Sequence, residues 1–479
     1  MTPILDDRKR WLAFLVLCLG TVMEVLDTTI VNVALPSVKS DLGFSDTSLA
    51  WVINAYMLTF GGFLLLGGRL GDLYGQRRLF LLGIGLFTLA SLACGLATTQ
   101  GMLIAARAVQ GVGGAILSAV SLSLIMSLFP DTKGRIKAMA YFGFVAAGGG
   151  SLGVLLGGVL TDALDWHWVF LVNLPIGIAV LVVAPFLLPG GPGHASGQRL
   201  DVAGAAAVTS SLMLAVYGIV NGNGAGWSSP QTLGTLGGAA LLLVAFLAIE
   251  AKVRDPLMPL GMFRLRNVST ANAVGVFWAA AMFAWFFVSA LYMQLVLGYS
   301  PLKVGLAFLP SNLIMAAFSF GLSARVVTRF GIRLPLAVGL ALAATGLLLF
   351  ARAPADGRFL IDILPGMVLL GLGAGMAFNP VFLAAMAGVA PKDSGLASGM
   401  VNTSFMMGGA LGLAVIASLA ASRTAALAGT GEGATAALVG GYHAAFLLGA
   451  AFAVTASIVG AVFLRETPEP ALAQDALPV

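Results

Sequence analysis

The sequence predicts an all-α integral membrane protein of about fourteen transmembrane helices. They form two six-helix halves related by pseudo-symmetry, with two further helices inserted between them. Three observations carry this prediction: a composition that water cannot solvate, a series of apolar runs of spanning length, and segments that recur at one fixed offset.

The 479 residues are 59% hydrophobic and 9% charged, where soluble domains carry roughly 25% charged residues. A soluble fold has too few charges here to cover its surface, whereas a bilayer solvates apolar surface directly. The 62 glycines fit the same class, because small residues let membrane helices approach closely. Cys18 and Cys94 lie in separate apolar runs, which argues against a disulfide framework. The first apolar run, 11–35, is too long for a signal-peptide core and lacks a cleavage pattern. It is expected to remain as a span.

A span needs about 20 apolar residues. Fourteen runs are expected to cross, at 11–36, 48–67, 79–98, 101–129, 138–161, 167–188, 201–220, 233–250, 268–296, 304–324, 334–351, 359–385, 395–420 and 441–464. The seventh and eighth carry the weakest signal. Basic residues set the orientation. Of the 25 Lys and Arg, five (Lys39, Lys303, Arg352, Arg358, Arg423) fall on segments that are outer if the N-terminus is inside. Arg107 lies within a span and the other nineteen fall inside, as the positive-inside rule requires. Both termini are therefore expected in the cytoplasm, and the net charge of +5 calls for no nucleic acid.

The loop Asp72-Leu73-Tyr74-Gly75-Gln76-Arg77 joins spans two and three. Thr328-Arg329-Phe330-Gly331-Ile332-Arg333 joins spans ten and eleven, 256 residues later. The same offset carries span one onto span nine, four onto twelve and five onto thirteen. The expected domains are a first half at 1–190, the inserted helices at 191–255 and a second half at 256–479. Paired halves of this kind place a substrate site near the bilayer midplane between them.

Charge inside the spans is sparse. The first span holds Glu24, Asp27 and Asn32. An acid at the membrane centre costs roughly 2.5–3.5 kcal/mol on insertion scales, so it needs a polar cavity or a partner. Glu24 and Asp27, three residues apart, share a helix face. Counted from Pro36, Asp27 lies about 13 Å deep and Glu24 about 18 Å deep. Arg107, counted from Gly101, lies about 9 Å deep, within a turn of Asp27. The plainer reading is an ion pair that fixes spans one and four. The other reading is proton coupling: an opposite charge holds the carboxylate ionised while burial favours its neutral form, and that balance suits proton exchange. Charges in spans are functional often enough to favour the second reading, with Asp27 as the main carrier.

The loop after span two contains Gly68, Asp72, Gly75, Arg77 and Arg78. Gly75 is expected to take positive φ in a tight turn. Basic residues flank any inner span end, but this order of Gly, Asp, Gly and Arg favours a gating loop. Gly149, Gly153 and Gly157 recur every four residues in span five, with Gly158 beside them, and offer one face for close helix approach. In the two halves of a carrier, such a face is expected to slide. Span thirteen has a comparable set in Gly395, Gly399, Gly408 and Gly412. Trp278, Trp285 and Tyr292 recur every seven residues in span nine. They either line a cavity that stacks flat or cationic organic molecules or fill a lipid face. Asn32, Gln110, Asn402 and Met406 are further candidates for the cavity wall. His167, His194 and His443 lie far apart, and no metal spacing or nucleotide loop accompanies them.

Together these motifs resemble the major facilitator superfamily, specifically its fourteen-span drug–proton antiporters, over nearly the whole chain. Leu26 to Pro36 resembles that branch's first-span motif, Gly68 to Arg78 the gating motif, and Arg107-Ala108-Val109-Gln110-Gly111 the fourth-span motif tied to proton coupling. Trp166 to Gly177 and Tyr299-Ser300-Pro301 also resemble the branch. Gly149–Gly158 is similar to the fifth-span antiporter motif, but Val154 stands where the family usually has proline. Phe405 and Met406 stand where relatives often carry polar residues, which implies more apolar cargo.

The resemblance implies export of small hydrophobic or cationic organic molecules, such as drugs or antibiotics, in exchange for protons. It implies alternating access, no cofactor beyond the proton gradient, a monomer, and a bacterial inner membrane. Transport of an endogenous metabolite on the same fold is the alternative, since fold does not fix cargo. A membrane enzyme needs clustered His, Asp or Ser chemistry near an interface, and a polytopic sensor needs a sizeable soluble domain. The sequence offers neither.

Overall fold

The computed structural model describes residues 7–129, 131–190, 200–318, 322–389 and 394–466. His194 lies outside them. The described residues form the helices α1 (Asp7–Leu42), α2 (Trp51–Tyr74), α3 (Gln76–Gly95), α4 (Gln100–Leu128), α5 (Thr132–Ala163), α6 (Trp168–Leu171), α7 (Asn173–Leu187), α8 (Val202–Ala225), α9 (Pro230–Lys252), α10 (Arg266–Leu291), α11 (Pro301–Ala317), α12 (Ser323–Phe330), α13 (Arg333–Phe350), α14 (Leu364–Met386), α15 (Ser394–Gly429) and α16 (Ala434–Phe463). Among the described residues, twelve helices are long and apolar enough to cross a membrane. The two weakest apolar runs are among them, as α8 and α9.

Only helices can span lipid in a chain of this kind, because their backbone polar groups are satisfied internally. Local signals mark several starts. α9 and α11 both begin with Ser-Pro. Ser229 and Ser300 accept the Thr232 and Lys303 amides, and Pro230 and Pro301 take first-turn positions where no amide donor is needed. Asp131 caps α5 by accepting the Gly134 amide at 2.6 Å. That bond holds its carboxyl below the usual carboxylate range, and Arg10 of α1 adds an ion pair at 2.9 Å.

The packing pairs repeat. In the first part of the chain α2 packs on α4, α3 on α4, α1 on α5, α3 on α7 and α1 on α7. In the last part α11 packs on α14, α13 on α14, α10 on α15, α13 on α16 and α10 on α16. The first three pairs map onto the first three of the second set under the 256-residue offset, and the two α7 pairs correspond in chain order to the two α16 pairs. The contacts between the two sets obey the same exchange: α5 meets α11, and α15 meets α2. α8 and α9 pack on each other, and α8 also leans on α2 and α15.

The α2–α3 and α12–α13 turns show the same correspondence in detail. Gly75 has φ +96° and Gly331, 256 residues later, has φ +73°, conformations open to glycine and costly for other residues. Two residues on, Arg77 donates to the Leu188 carbonyl at the end of α7 (3.4 Å). Arg333 donates to the Ala461 carbonyl near the end of α16. In both places arginine satisfies a carbonyl that a helix C-terminus leaves orphaned.

Candidate functional site

Asp27 sits on α1 with no exposed surface, and Arg107 on α4 is 1% exposed. Arg107 Nη1 lies 2.5 Å from Asp27 Oδ2. The partnership inferred from their depths is thus a direct contact. Three donors converge on this one carboxylate: Arg107, Gln110 Nε2 at 2.8 Å and Asn173 Nδ2 at 3.0 Å. Charge-assisted bonds of this kind are shorter and stronger than neutral ones.

A second layer holds the donors. Arg107 Nε donates to the Val52 carbonyl of α2 at 2.9 Å, and Nη1 reaches Gln110 Oε1 at 2.6 Å. Gln110 also donates to Ser91 of α3 at 2.8 Å. The guanidinium lies over the rings of Tyr56 (4.5 Å) and Phe170 (5.6 Å), an attractive arrangement for a desolvated cation. One polar knot therefore joins α1, α2, α3, α4, α6 and α7. Ser91 and Asn173 were not singled out from sequence. Asn173 does stand inside the Trp166–Gly177 motif, and a polar side chain amid apolar neighbours was the available signal.

Close packing brings α4 and α1 to their partners. A Cβ on Gly111 would lie 2.4 Å from the Tyr56 carbonyl oxygen, and one on Gly113 2.7 Å from the Phe87 amide nitrogen. Gly153 would strike Thr29 Oγ1 (2.0 Å) and Gly157 the Ile30 carbonyl oxygen (2.5 Å), while Gly149 touches Val25 at 3.3 Å. The glycine face of α5 therefore seats α1 of the same half. Only Gly158 turns across, with a Cβ position 2.7 Å from the Pro301 carbonyl oxygen of α11. The close contact between α5 and α11 is completed by Gly305 against the Val154 carbonyl (2.9 Å). On α15, Gly408 and Gly412 seat α10, and Gly399 meets Leu65 of α2.

Glu24, one turn before Asp27, is half-buried. It stands outside the Asp27 knot. Asn32 is 3% exposed and donates to the Thr28 and Thr29 carbonyls of its own helix. Gln110 belongs to the knot and not to a cavity wall. Asn402 and Met406 are half-buried on α15, and Met406 lies against Gly61 of α2.

The aromatic stripe departs from both expectations. Trp278 and Trp285 have no exposed surface, so they face neither a cavity nor lipid. Trp285 packs between Phe286 (4.4 Å between centroids) and Phe308 (6.0 Å). Tyr292 is 1% exposed and donates to the Pro354 carbonyl at 2.5 Å. The physical reason is the neighbouring small residues. Ala279, Ala280, Ala281 and Ala284 leave the surrounding helices close enough to enclose the large rings.

The expected loop Gly68–Arg78 is helical on both sides of a single turn residue: Gly68 and Asp72 lie in α2, Gly75 makes the turn, and Arg77 and Arg78 open α3. Asp72 and Arg78 are exposed, and Gly68 has room for a Cβ. The close approach falls to Gly67 (3.0 Å from Ile116 Cα) and Gly71 (2.7 Å from Val120 Cγ1). Gly75→Ala is expected to cost about 1–3 kcal/mol, the usual strain of a non-glycine residue in such a backbone state. Thermal unfolding of the purified chain in detergent measures this, and an unchanged midpoint would contradict it. Among the described residues no group of three or more His, Cys, Asp or Glu is placed to hold a metal.

Comparison with known proteins supplies the rest of the frame. A family model described as the Major Facilitator Superfamily matches residues 17–413. The chain is 39% identical to the puromycin resistance protein pur8 of Streptomyces alboniger, over 95% of this chain and 91% of that one. It is 38% identical to the cephamycin export protein CmcT of Amycolatopsis lactamdurans, over 95% and 93%. The crystal structure of an auto-inhibited peptide transporter of the POT family superposes with a TM-score of 0.69 at 16% identity, covering 96% of this chain and 99% of that one. That last likeness is one of fold.

Proposed function

This chain belongs to the Major Facilitator Superfamily and is a multi-pass membrane transporter, and from that premise we propose that it exports small organic molecules, antibiotics among them, in exchange for protons. Two relatives of high coverage, named for puromycin resistance and cephamycin export, support the cargo class. The observation that carries the coupling is Asp27, a wholly buried carboxylate held by three donors from two other helices.

On this reading the fourteen expected spans form two six-helix halves, 1–190 and 256–479, with α8 and α9 inserted between them. The protein works as a monomer in a bacterial inner membrane with both termini in the cytoplasm. A proton reaching Asp27 neutralises the charge that Arg107, Gln110 and Asn173 hold. Arg107 keeps Val52 and Gln110 but loses its reason to grip α1. Because α1 is seated on the glycine face of α5, and α5 meets α11, the change reaches the contact between halves. Cargo then biases the opposite state by binding one conformation better. Glu24 and the half-buried Asn402 and Met406 are the proposed cargo contacts, with Glu24 favouring cationic molecules.

The test is transport by the purified chain in liposomes with an imposed pH gradient, with puromycin as the probe. The expected result is puromycin movement driven by the gradient, with proton movement in the opposite direction when puromycin is added without one. Puromycin movement that ignores the gradient would overturn the coupling. Gradient-driven uptake of a metabolite without any drug movement would favour the alternative cargo.

A further inference from the structure

A second pair of buried acids lies far from Asp27 in the fold, at the end of the bundle where α2 leads into α3. Asp201 caps α8 and Glu250 stands in the last turn of α9. They are 4% and 3% exposed. Each has one oxygen engaged by a backbone amide: Asp201 Oδ1 accepts Gly204 at 2.7 Å, and Glu250 Oε2 accepts Met258 at 3.0 Å. The other two oxygens, Asp201 Oδ2 and Glu250 Oε1, are buried with no donor among the described residues. They lie together. The point where a Cβ on Gly204 would sit is 2.5 Å from Asp201 Oδ2 and 2.9 Å from Glu250 Oε1, so the two orphan oxygens flank the same spot.

Two carboxylates cannot both stay ionised when desolvated at that separation, and one proton between them is the simplest resolution. It also supplies the donor that the two orphan oxygens lack. The surroundings are apolar, with Leu66, Ala205 and Leu257 forming a small buried cluster beside the pair. The charged groups of the adjoining elements are Arg69 of α2 and Asp255, whose side chains are 4.0 Å apart, and the exposed Lys252 and Arg254.

We propose that Asp201 and Glu250 hold one proton between them, forming a second proton-binding site that pins the start of α8 to the end of α9. In the protonated state one carboxyl O–H donates to the other group's carboxylate oxygen. On release the proton passes to the aqueous phase at that end and leaves two facing anions. Their repulsion parts α8 from the segment Val253–Met258 that leads toward α10. The site is independent of Asp27 and of the transport reading.

The test uses the full chain in lipid nanodiscs and two isosteric variants, Glu250→Gln and Asp201→Asn. Infrared titration is expected to show the stretch of a protonated carboxyl at neutral pH. The band should fall by one carboxyl per chain in either variant and persist in Asp27→Asn. The stability supplied by the shared proton is present at low pH and lost as pH rises through the titration of the pair. Glu250→Gln, whose amide donates at any pH, should remove that part of the pH dependence of the unfolding midpoint. The proposal is overturned if both variants keep the wild-type band and pH slope. It is also overturned if a chelator removes a metal cation from the wild-type chain and lowers its midpoint, since the pair would then hold a metal.

Discussion

Asp27→Asn is expected to reduce pH-gradient-driven efflux to the level of protein-free liposomes while cargo binding survives. The asparagine keeps the shape of the carboxyl but carries no exchangeable charge. Its Nδ2 would also point a donor into a place where Arg107, Gln110 and Asn173 already supply donors. Breaking a buried ion pair by removing one partner costs about 3–5 kcal/mol, so Arg107→Ala should lower the unfolding midpoint as well as transport. Efflux measured with and without the gradient, together with cargo affinity in detergent, separates the two effects. Gradient-driven efflux at the wild-type rate in Asp27→Asn would remove this residue from the coupling.

Gly157→Leu is expected to have the second largest effect, and to act through packing alone. A Cβ there lies 2.5 Å from the Ile30 carbonyl oxygen and 3.0 Å from Ile30 Cγ1. Backbone cannot swing aside as a side chain can, so α1 must move away from α5. Overpacking costs about 1–3 kcal/mol where side chains can adjust, and this site should lie at or above the upper end. Gly237→Leu on α9, where nothing lies within 4 Å of the added Cβ, is the matched control. The unfolding midpoint should fall in the first variant and hold in the second. Equal midpoints would mean that α5 does not seat α1 as described.

Much of this architecture was legible in the chain. Apolar runs located the twelve helices of spanning length among the described residues, because lipid imposes a length on every helix that crosses it; the runs at 138–161 and 304–324 correspond to shorter apolar helices there, Leu152–Ala163 and Pro301–Ala317. The Asp27–Arg107 contact followed from depth alone, since two opposite charges at one level of a low-dielectric medium have strong reason to meet. The positive φ of Gly75 followed from a turn too tight for a Cβ. Other features were not legible. The seven-residue spacing of Trp278, Trp285 and Tyr292 told that they share a face, but not what faces them. Alanines beside them on α10 and the glycines Gly408 and Gly412 of α15 decided that, and made them interior packing, not the cavity wall or lipid face that the spacing left open. Asp201 and Glu250 passed unnoticed because acids at span ends are ordinary flanking residues. Their burial depends on two antiparallel helices ending side by side, which no local pattern encodes.

The repeat copies helices but not chemistry. The offset that carries α1 onto α10 and α4 onto α14 places Phe283 opposite Asp27, Ile363 opposite Arg107 and Gly366 opposite Gln110. On the proposed reading the proton site therefore resides in one copy, and the other copy carries no charged side chain at those three positions. On the proposed reading, duplication has separated the engine from the mould. The second copy can change the shape it offers to cargo without retuning the proton site, and a fault in either copy leaves the other's design intact.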